Sequence, residues 1–187
     1  LVSWDFLPHV GGMGRHVAQL EAGLKAAGCE VFVFSRHDVP LTKSFGGHLA
    51  FSVAVAARID AWVRARKIDI LHVHSGPGGT LLPWHIAGVP LVVTAHHTYL
   101  QQSRVPGQIW KRLLAAPERR TYRIADKVIC VSGDTMRVLK ADTACPPKGC
   151  MLSRAVSRLS RGVAPISTTD CSPRDSVCSS AGPTRAK

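Results

Sequence analysis

The chain has 187 residues, of which 45% are hydrophobic and 19% charged, and its formal net charge is +12. This composition is typical of a globular protein and excludes a wholly disordered one. No apolar run approaches the roughly 20 residues that span a bilayer, and the first residues lack the pattern of a signal peptide.

Strand-like and helix-like segments alternate along the first 143 residues. The predicted strands are 1–4, 30–35, 69–74, 90–95 and 127–131. The predicted helices are one that starts near Gly14 or Arg15 and ends at Ala27, then 50–67, 81–87, 106–125 and a segment after Ser132. Val53, Ala57 and residues 59–63 form the predicted apolar stripe of the second helix. Pro117 is expected to break or restart the fourth helix. The strands are nearly continuous apolar runs, so the sequence predicts an α/β fold with a Rossmann-like, doubly wound parallel sheet.

The character of the chain changes after Ala141, and we divide it into a domain at 1–143 and a tail at 144–187. The tail contains eight serines and shows little periodicity, and we expect no strand in it that could extend the sheet. One interpretation is a disordered basic tail. The mixture of Cys, Ser, Arg and Pro favours another, namely out-of-frame translation of a GC-rich gene. The DNA past codon 143 would then continue an ordinary α/β domain in another frame.

The positive charge is spread over both regions, +7 in residues 1–143 and +5 in the tail. The basic clusters at 64–67 and at Arg119 and Arg120 are typical of solvated helix faces, and nucleic acid is not the favoured partner. A phosphorylated substrate or an anionic membrane surface is the alternative for these clusters.

The six cysteines form neither a disulfide framework nor a familiar zinc pattern. Cys29 and Cys130 lie beside or within predicted strands, where we expect buried free thiols. The other four are Cys145, Cys150, Cys171 and Cys178. This usage indicates a reducing compartment, so we expect a cytoplasmic protein, peripheral at the inner face of the membrane if the basic surface contacts lipid.

Ligands of parallel α/β sheets bind beyond the carboxyl ends of the strands. This rule selects the segments 5–14, 74–79, 96–99 and 132–135. The first of them contains Gly11 and Gly12, directly before a helix. Glycine lets the backbone come close to a bound group, and a helix N-terminus attracts an anion such as phosphate. The spacing is not the G-x-G-x-x-G dinucleotide fingerprint, and a tight turn with close helix packing explains these glycines equally well.

Five motifs occur in a familiar order over residues 1–141. A glycine pair precedes G-R-H-V, the following helix ends in A-A-G-x-E-V-x-V, and D-I-L-H-V-H, P-L-V-V-T-A-H and A-D-K-V-I-C-V-S come later. In this order they resemble the N-terminal domain of family 4 glycosyltransferases. That resemblance implies the GT-B fold, in which two Rossmann-like domains face each other across a cleft.

The resemblance also implies a reaction and roles for particular residues. The reaction is a retaining transfer of a sugar from a nucleotide-sugar donor to a sugar or lipid-linked acceptor, without a metal or other cofactor. Gly11 and Gly12 match the loop that meets the donor diphosphate, and His96 matches a catalytic histidine near the transferred sugar. Ser132 matches a serine at the pocket edge, and Glu118 matches a glutamate without an assigned role.

The chain departs from the family in its second half. The family binds most of the nucleotide sugar through a basic residue and paired glutamates of the C-terminal domain, and nothing after residue 141 matches them. We therefore expect an acceptor-binding half that is inactive alone.

Several other side chains near the same edge are candidates for binding. His72, His74, His96 and His97 could hold zinc, but no nearby carboxylate or thiol completes such a site and the resemblance needs no metal, so we expect none. His72 is expected to pack in the sheet, whereas His74 is a candidate for substrate binding. The further candidates for substrate binding are Arg15, His16, Tyr99, Asp5 and Trp110. A surface arginine, a capping histidine and core aromatics are the structural alternatives.

Two other functions remain open from the sequence. A GT-B sugar-nucleotide epimerase shares the architecture, although the combination of G-R-H-V with T-A-H favours the transferase. The non-enzymatic alternative is an orphan domain whose basic tail binds an anionic partner, which salt-sensitive binding would reveal.

Overall fold

The computed structural model describes residues 1–8, 11–40, 46–83, 86, 88–142 and 150–152. Every described residue belongs to one compact unit, Leu1–Arg154. The predicted tail from residue 144 onward therefore lies outside the described residues, except for 150–152.

The described strands form one parallel sheet, as the sequence predicts. They are β1 Val2–Ser3, β2 Phe34–Ser35, β3 Leu71–His74, β4 Leu91–Ala95, β5 Lys127–Cys130 and β6 Cys150–Leu152. Their order in the sheet is β2-β1-β3-β4-β5-β6, and each neighbouring pair is parallel. The order reverses between β1 and β3, which makes this pair the topological switch point of the sheet.

Helices flank the sheet and confirm the Rossmann-like α/β class. They are α1 Gly12–Ala26, α2 Gly47–Ala65, α3 Tyr99–Gln102, α4 Arg112–Ile124 and α5 Gly133–Asp142, with 3₁₀ turns at Arg36–Asp38 and Ile109–Lys111. None of the helices in the described part of the chain has the length and apolarity to cross a membrane.

The core lies between the strands and the buried faces of these helices. The stripe of α2 that packs against the sheet consists of Phe51, Val55, Ile59 and Val63, spaced four residues apart. This corrects the predicted stripe, since Val53 is 52% exposed. The predicted helix began three residues too late, and of the predicted stripe Val53 and Ala57 are exposed whereas Ile59 and Val63 are buried as expected.

Three further predictions about the elements differ from the structure. The prediction of no strand after Ala141 is wrong, because β6 pairs with β5. Pro117 lies inside α4 as its sixth residue, and the helix continues through it without a break. Residues 81–83 are not helical, whereas Trp84, His85 and Ala87 of the same predicted helix lie outside the described residues.

The two cysteines expected to be buried differ from each other. Cys130 is a buried free thiol as predicted, but Cys29 is exposed. Cys29 follows the end of α1 and precedes β2 without belonging to either, so no packed layer covers it.

Candidate functional site

The switch point brings together the loops that follow β1 and β3. The first loop leads through Asp5 and Gly11 into α1, and the second runs through residues 75–80. In the second loop Gly76 has φ +105°, a backbone conformation that favours glycine, and its carbonyl accepts a hydrogen bond from Thr80 Oγ1. Both loops lie at the carboxyl edge of the sheet, where ligands of such folds bind.

The glycine pair opens α1 at its N-terminus. Gly11 is the N-cap residue and Gly12 the first helical residue, so the helix begins two residues before the predicted start. Neither glycine has a positive φ. A Cβ on Gly12 would meet nothing within 4 Å, and one on Gly11 would make an ordinary 3.4 Å contact with Asp5 Oδ2. The fold itself therefore requires neither glycine for a turn or for close packing.

Three histidines from separate elements form a cluster beside this loop. His16 lies on α1 one turn after Gly12, His74 ends β3, and His96 follows β4. Their ring centroids are 5.2 to 5.8 Å apart, and His74 Nδ1 lies 3.1 Å from His96 Nε2. We call His16, His74 and His96 the histidine cluster.

The imidazoles of the histidine cluster are neutral at pH 7. Burial lowers the pKa of His16, and burial together with the nearby His16 lowers the pKa of His96 to about 4. Burial is also the main reason that the pKa of His74 lies well below its usual value. Hence one nitrogen of the His74–His96 pair donates and the other accepts.

Hydrogen bonds hold the backbone of His96 from two sides. Its N–H donates to Ser75 Oγ at 3.1 Å, and its carbonyl accepts from Thr135 Oγ1 at 3.2 Å. Thr135 in turn is bound by Ser132, whose Oγ accepts the Thr135 N–H as an N-cap residue does. Ser132 therefore supports the start of α5 and, through Thr135, the position of His96.

His72 is part of the sheet, as predicted. Its Nε2 pairs with Thr94 Oγ1 at 2.7 Å, and its ring stacks on His74 with 4.9 Å between centroids.

A pocket of about 750 Å³ opens between the two switch-point loops, the start of α2 and the segment around α3 and α4. Most of its wall is apolar. The apolar lining side chains include Trp4, Met13, Leu49, Leu81, Trp110 and Leu114. The polar lining includes Asp5, His48, His97, Lys111 and Glu118. A concave, mostly apolar site with few convergent polar groups is typical of small-molecule binding.

Glu118 lies in the wall of this pocket and is only 5% exposed. Its carboxylate accepts the Tyr99 N–H at 2.7 Å and the Tyr122 hydroxyl at 3.1 Å. It therefore fixes the start of α3, and with it Tyr99, which also lines the pocket. Burial raises the pKa of Glu118 to about 7, against the hydrogen bonds that lower it.

We expect the wild-type protein to lose stability relative to Glu118→Gln as pH rises. The folded pKa is raised, so the folded state binds more protons than the unfolded state between the two pKa values, and the unfolding free energy falls with pH. From about pH 5.5 to about pH 7 the fall is about 1.5 kcal/mol, at about 1.4 kcal/mol per pKa unit. The glutamine amide can still accept from Tyr99 and donate to Tyr122. Urea unfolding of both proteins across this range measures the difference, and parallel pH profiles would contradict the prediction.

The structure brings together some of the predicted site residues and separates others. Gly11, Gly12 and the histidine cluster lie at one edge, with Arg15 exposed at the start of α1. Tyr99 and Asp5 line the pocket instead. Trp110 also lines it and is half exposed, so the core interpretation holds for the buried Tyr99 and fails for Trp110.

Sequence reasoning missed most of the pocket wall. The lining residues not singled out from the sequence include Trp4, His48, Leu49, Thr80 and Lys111. Trp4 had a usable signal, because it is the last residue of a predicted strand at the ligand edge. The rest lie on segments that no motif marks.

The parallel sheet with flanking helices, and the glycine loop and pocket at its switch point, define a Rossmann-like α/β domain. The family model of Glycosyltransferase Family 4 matches residues 10–156, well over half of the chain. The chain belongs to this family and is a glycosyltransferase-like domain. No curated protein matches it.

Proposed function

We propose that this chain is the acceptor-binding half of a hexosyltransferase that takes the sugar from a nucleotide-sugar donor with retention and needs no cofactor. The observation that carries the proposal is the meeting of Gly11, Gly12 and His96 at the switch-point edge, next to the mostly apolar pocket. The glycine loop is assigned to the donor diphosphate, His96 to the transferring sugar, and the pocket to the acceptor.

The glycine loop supports the donor assignment because Gly11 and Gly12 have no side chains at the start of α1. Since a Cβ on Gly12 would meet no protein atom within 4 Å, the space beside this glycine is open to a ligand. The first turn of α1 carries no acidic residue, and its N-cap has no side chain to satisfy the free N–H groups. The positive end of the helix and the exposed Arg15 suit a diphosphate at this position.

His74 and His96 together support a role in positioning the sugar. If His74 Nδ1–H donates to His96 Nε2, the proton of His96 is on Nδ1 and is available for a sugar oxygen. A neutral imidazole held in this way donates a hydrogen bond without bringing a positive charge. In this role His96 touches the substrate, whereas His74 orients His96.

The wall of the pocket and the adjacent surface favour an acceptor with an apolar part, such as a lipid-linked sugar. Ile109 and Leu113 are 68% and 80% exposed, and they lie beside Trp110 and Lys111 of the pocket wall. Large exposed apolar side chains flanked by cations are typical of a membrane-contacting surface. We infer peripheral contact with an anionic membrane on the cytoplasmic side.

Transfer assays on two proteins test the proposal. One is the 187-residue chain, and the other is the product of the gene with its reading frame restored past codon 143. Each is incubated with a panel of uridine, guanosine and adenosine diphosphate sugars and with free-sugar or polyprenyl-phosphate acceptors, and products are identified by mass. We expect transfer by the restored protein and little or none by the 187-residue chain.

Each alternative has its own outcome in these assays. Robust turnover by the 187-residue chain would overturn the half-enzyme assignment. Conversion of a nucleotide sugar into its epimer, without transfer, would favour the epimerase. Failure of the restored protein to act on any donor would overturn the enzymatic proposal itself.

A further inference from the structure

We propose that the histidine cluster binds a late first-row transition-metal dication such as Zn²⁺, and that the bound metal inhibits sugar transfer. This inference corrects the grouping made from the sequence, in which His72 and His97 stood with His74 and His96. In the structure the third candidate ligand is His16, which comes from α1.

The distances within the cluster are close to those of a tetrahedral site. Each of the three side chains offers one nitrogen, and these nitrogens all lie within 4.8 Å of one another. Zinc–nitrogen bonds of about 2.0–2.1 Å place tetrahedral ligand atoms about 3.3 Å apart. His74 Nδ1 and His96 Nε2 already lie 3.1 Å apart. Only the half-buried His16 has to move inward, by about 1.5 Å, which a small side-chain rotation supplies.

The hydrogen bonding of His74 is the second observation. His74 is fully buried, yet its Nε2 has no hydrogen-bond partner in the part of the chain that the structure describes. A buried polar atom without a partner is costly and calls for a reason. An apolar residue would fill this place at less cost, so the unpartnered Nε2 counts against a pure packing role for His74; the proposed metal ligand is its other nitrogen, Nδ1.

Contacts around the histidine cluster hold His74 and His96 in position before any metal binds. Ser75 and Thr135 fix the backbone of His96, and Thr94 holds His72, on which His74 stacks. Such outer contacts orient metal ligands and raise affinity. Three imidazoles without a carboxylate prefer Zn²⁺, Co²⁺, Ni²⁺ or Cu²⁺ and discriminate against Mg²⁺ and Ca²⁺.

Metal binding uses the two nitrogens whose hydrogen bond orients His96 in the proposed transfer. A metal on His96 Nε2 and His74 Nδ1 replaces the hydrogen bond between them and fixes His96 in another orientation. Its open fourth position takes water or an oxygen of the substrate. The metal therefore competes with productive sugar binding and takes no part in the transfer.

Titration of the 187-residue chain with Co²⁺ tests the site without any transfer assay. A tetrahedral site gives a visible ligand-field absorption, which Zn²⁺ abolishes by displacement and Mg²⁺ leaves unchanged. We expect His16→Ala and His96→Ala each to weaken Co²⁺ binding at least about tenfold. His37→Ala, which removes an exposed histidine outside the cluster, is the matched control and leaves binding unchanged.

The outcomes separate this proposal from the proposed function. No Co²⁺ absorption, or binding that His16→Ala and His96→Ala leave intact, overturns the metal site, whatever the transfer assays give. Binding lost in these two variants and kept in His37→Ala supports the site even if no donor is ever turned over. His16→Ala alters a partly exposed position of a surface helix, so retained folding is checked directly by circular dichroism.

Discussion

Replacing His96 with alanine is expected to lower the kcat of the frame-restored enzyme by about 100-fold or more, typical of a positioned polar group in a transition state. The KM for the donor should change far less, because the hydrogen bond to the transferring sugar is stronger in the transition state than in the bound substrate. Steady-state kinetics with a saturating acceptor measure both parameters. Ser75 and Thr135 hold the backbone of residue 96, so the variant loses the imidazole without losing the strand end.

His72→Ala is the matched control for this experiment. His72 belongs to the same sheet edge, but its Nε2 is already paired with Thr94. Its replacement should lower the melting temperature and leave kcat close to normal. Near-normal kcat in a folded His96→Ala enzyme would remove the catalytic assignment of His96 and leave only the fold and the family.

The presence and parallel direction of most strands could be predicted from the sequence because buried parallel strands are continuous apolar runs. Leu91–Ala95 and Lys127–Cys130 stand out for this reason. Cys150–Leu152 does not, since a three-residue edge strand with two exposed residues carries too little pattern to distinguish it from its polar surroundings. Its pairing with β5 is a tertiary contact, which local composition does not encode.

The histidine cluster, too, could be predicted from the sequence only in part. That His74 and His96 lie close together follows from the rule that the carboxyl ends of parallel strands meet at one edge. That His16 joins them depends on how α1 is rotated against the sheet. The rotation follows from the burial of Val17 and Gly14 on the inner face of α1, which became known only with the packed structure.

The pocket wall was the least predictable part. Trp4, Leu49 and Trp110 come from three distant segments and share no periodicity. An aromatic residue near a helix start is usually core, and Trp110 is an exception because the segment before α4 leaves it half exposed above the pocket. Such an exception is set by the path of a loop, for which sequence patterns give little guidance.

Gly12→Val is expected to lower kcat/KM for the donor by about 100-fold, or about 2.7 kcal/mol. The reason is steric: the valine side chain would clash with the bound donor and not with the protein. A Cβ at this position would meet no protein atom within 4 Å, and the backbone conformation is helical, so the fold accepts the side chain. Valine also has a higher helix propensity than glycine, and the melting temperature should not fall. The branched side chain would occupy the space into which the proposed diphosphate approaches.

Gly23→Val provides the matched control, because it makes the same change on the same helix. Gly23 is exposed, a Cβ there would also meet nothing within 4 Å, and the position lies about 16 Å along α1 from Gly12 at about 1.5 Å per residue. Both variants should fold alike, and only Gly12→Val should lose donor turnover, with Gly12→Ala in between. Equal donor kinetics in the Gly12→Val and Gly23→Val enzymes would show that no ligand approaches the start of α1. The donor would then have to be placed elsewhere, because the glycine loop would have neither a folding role nor a binding role.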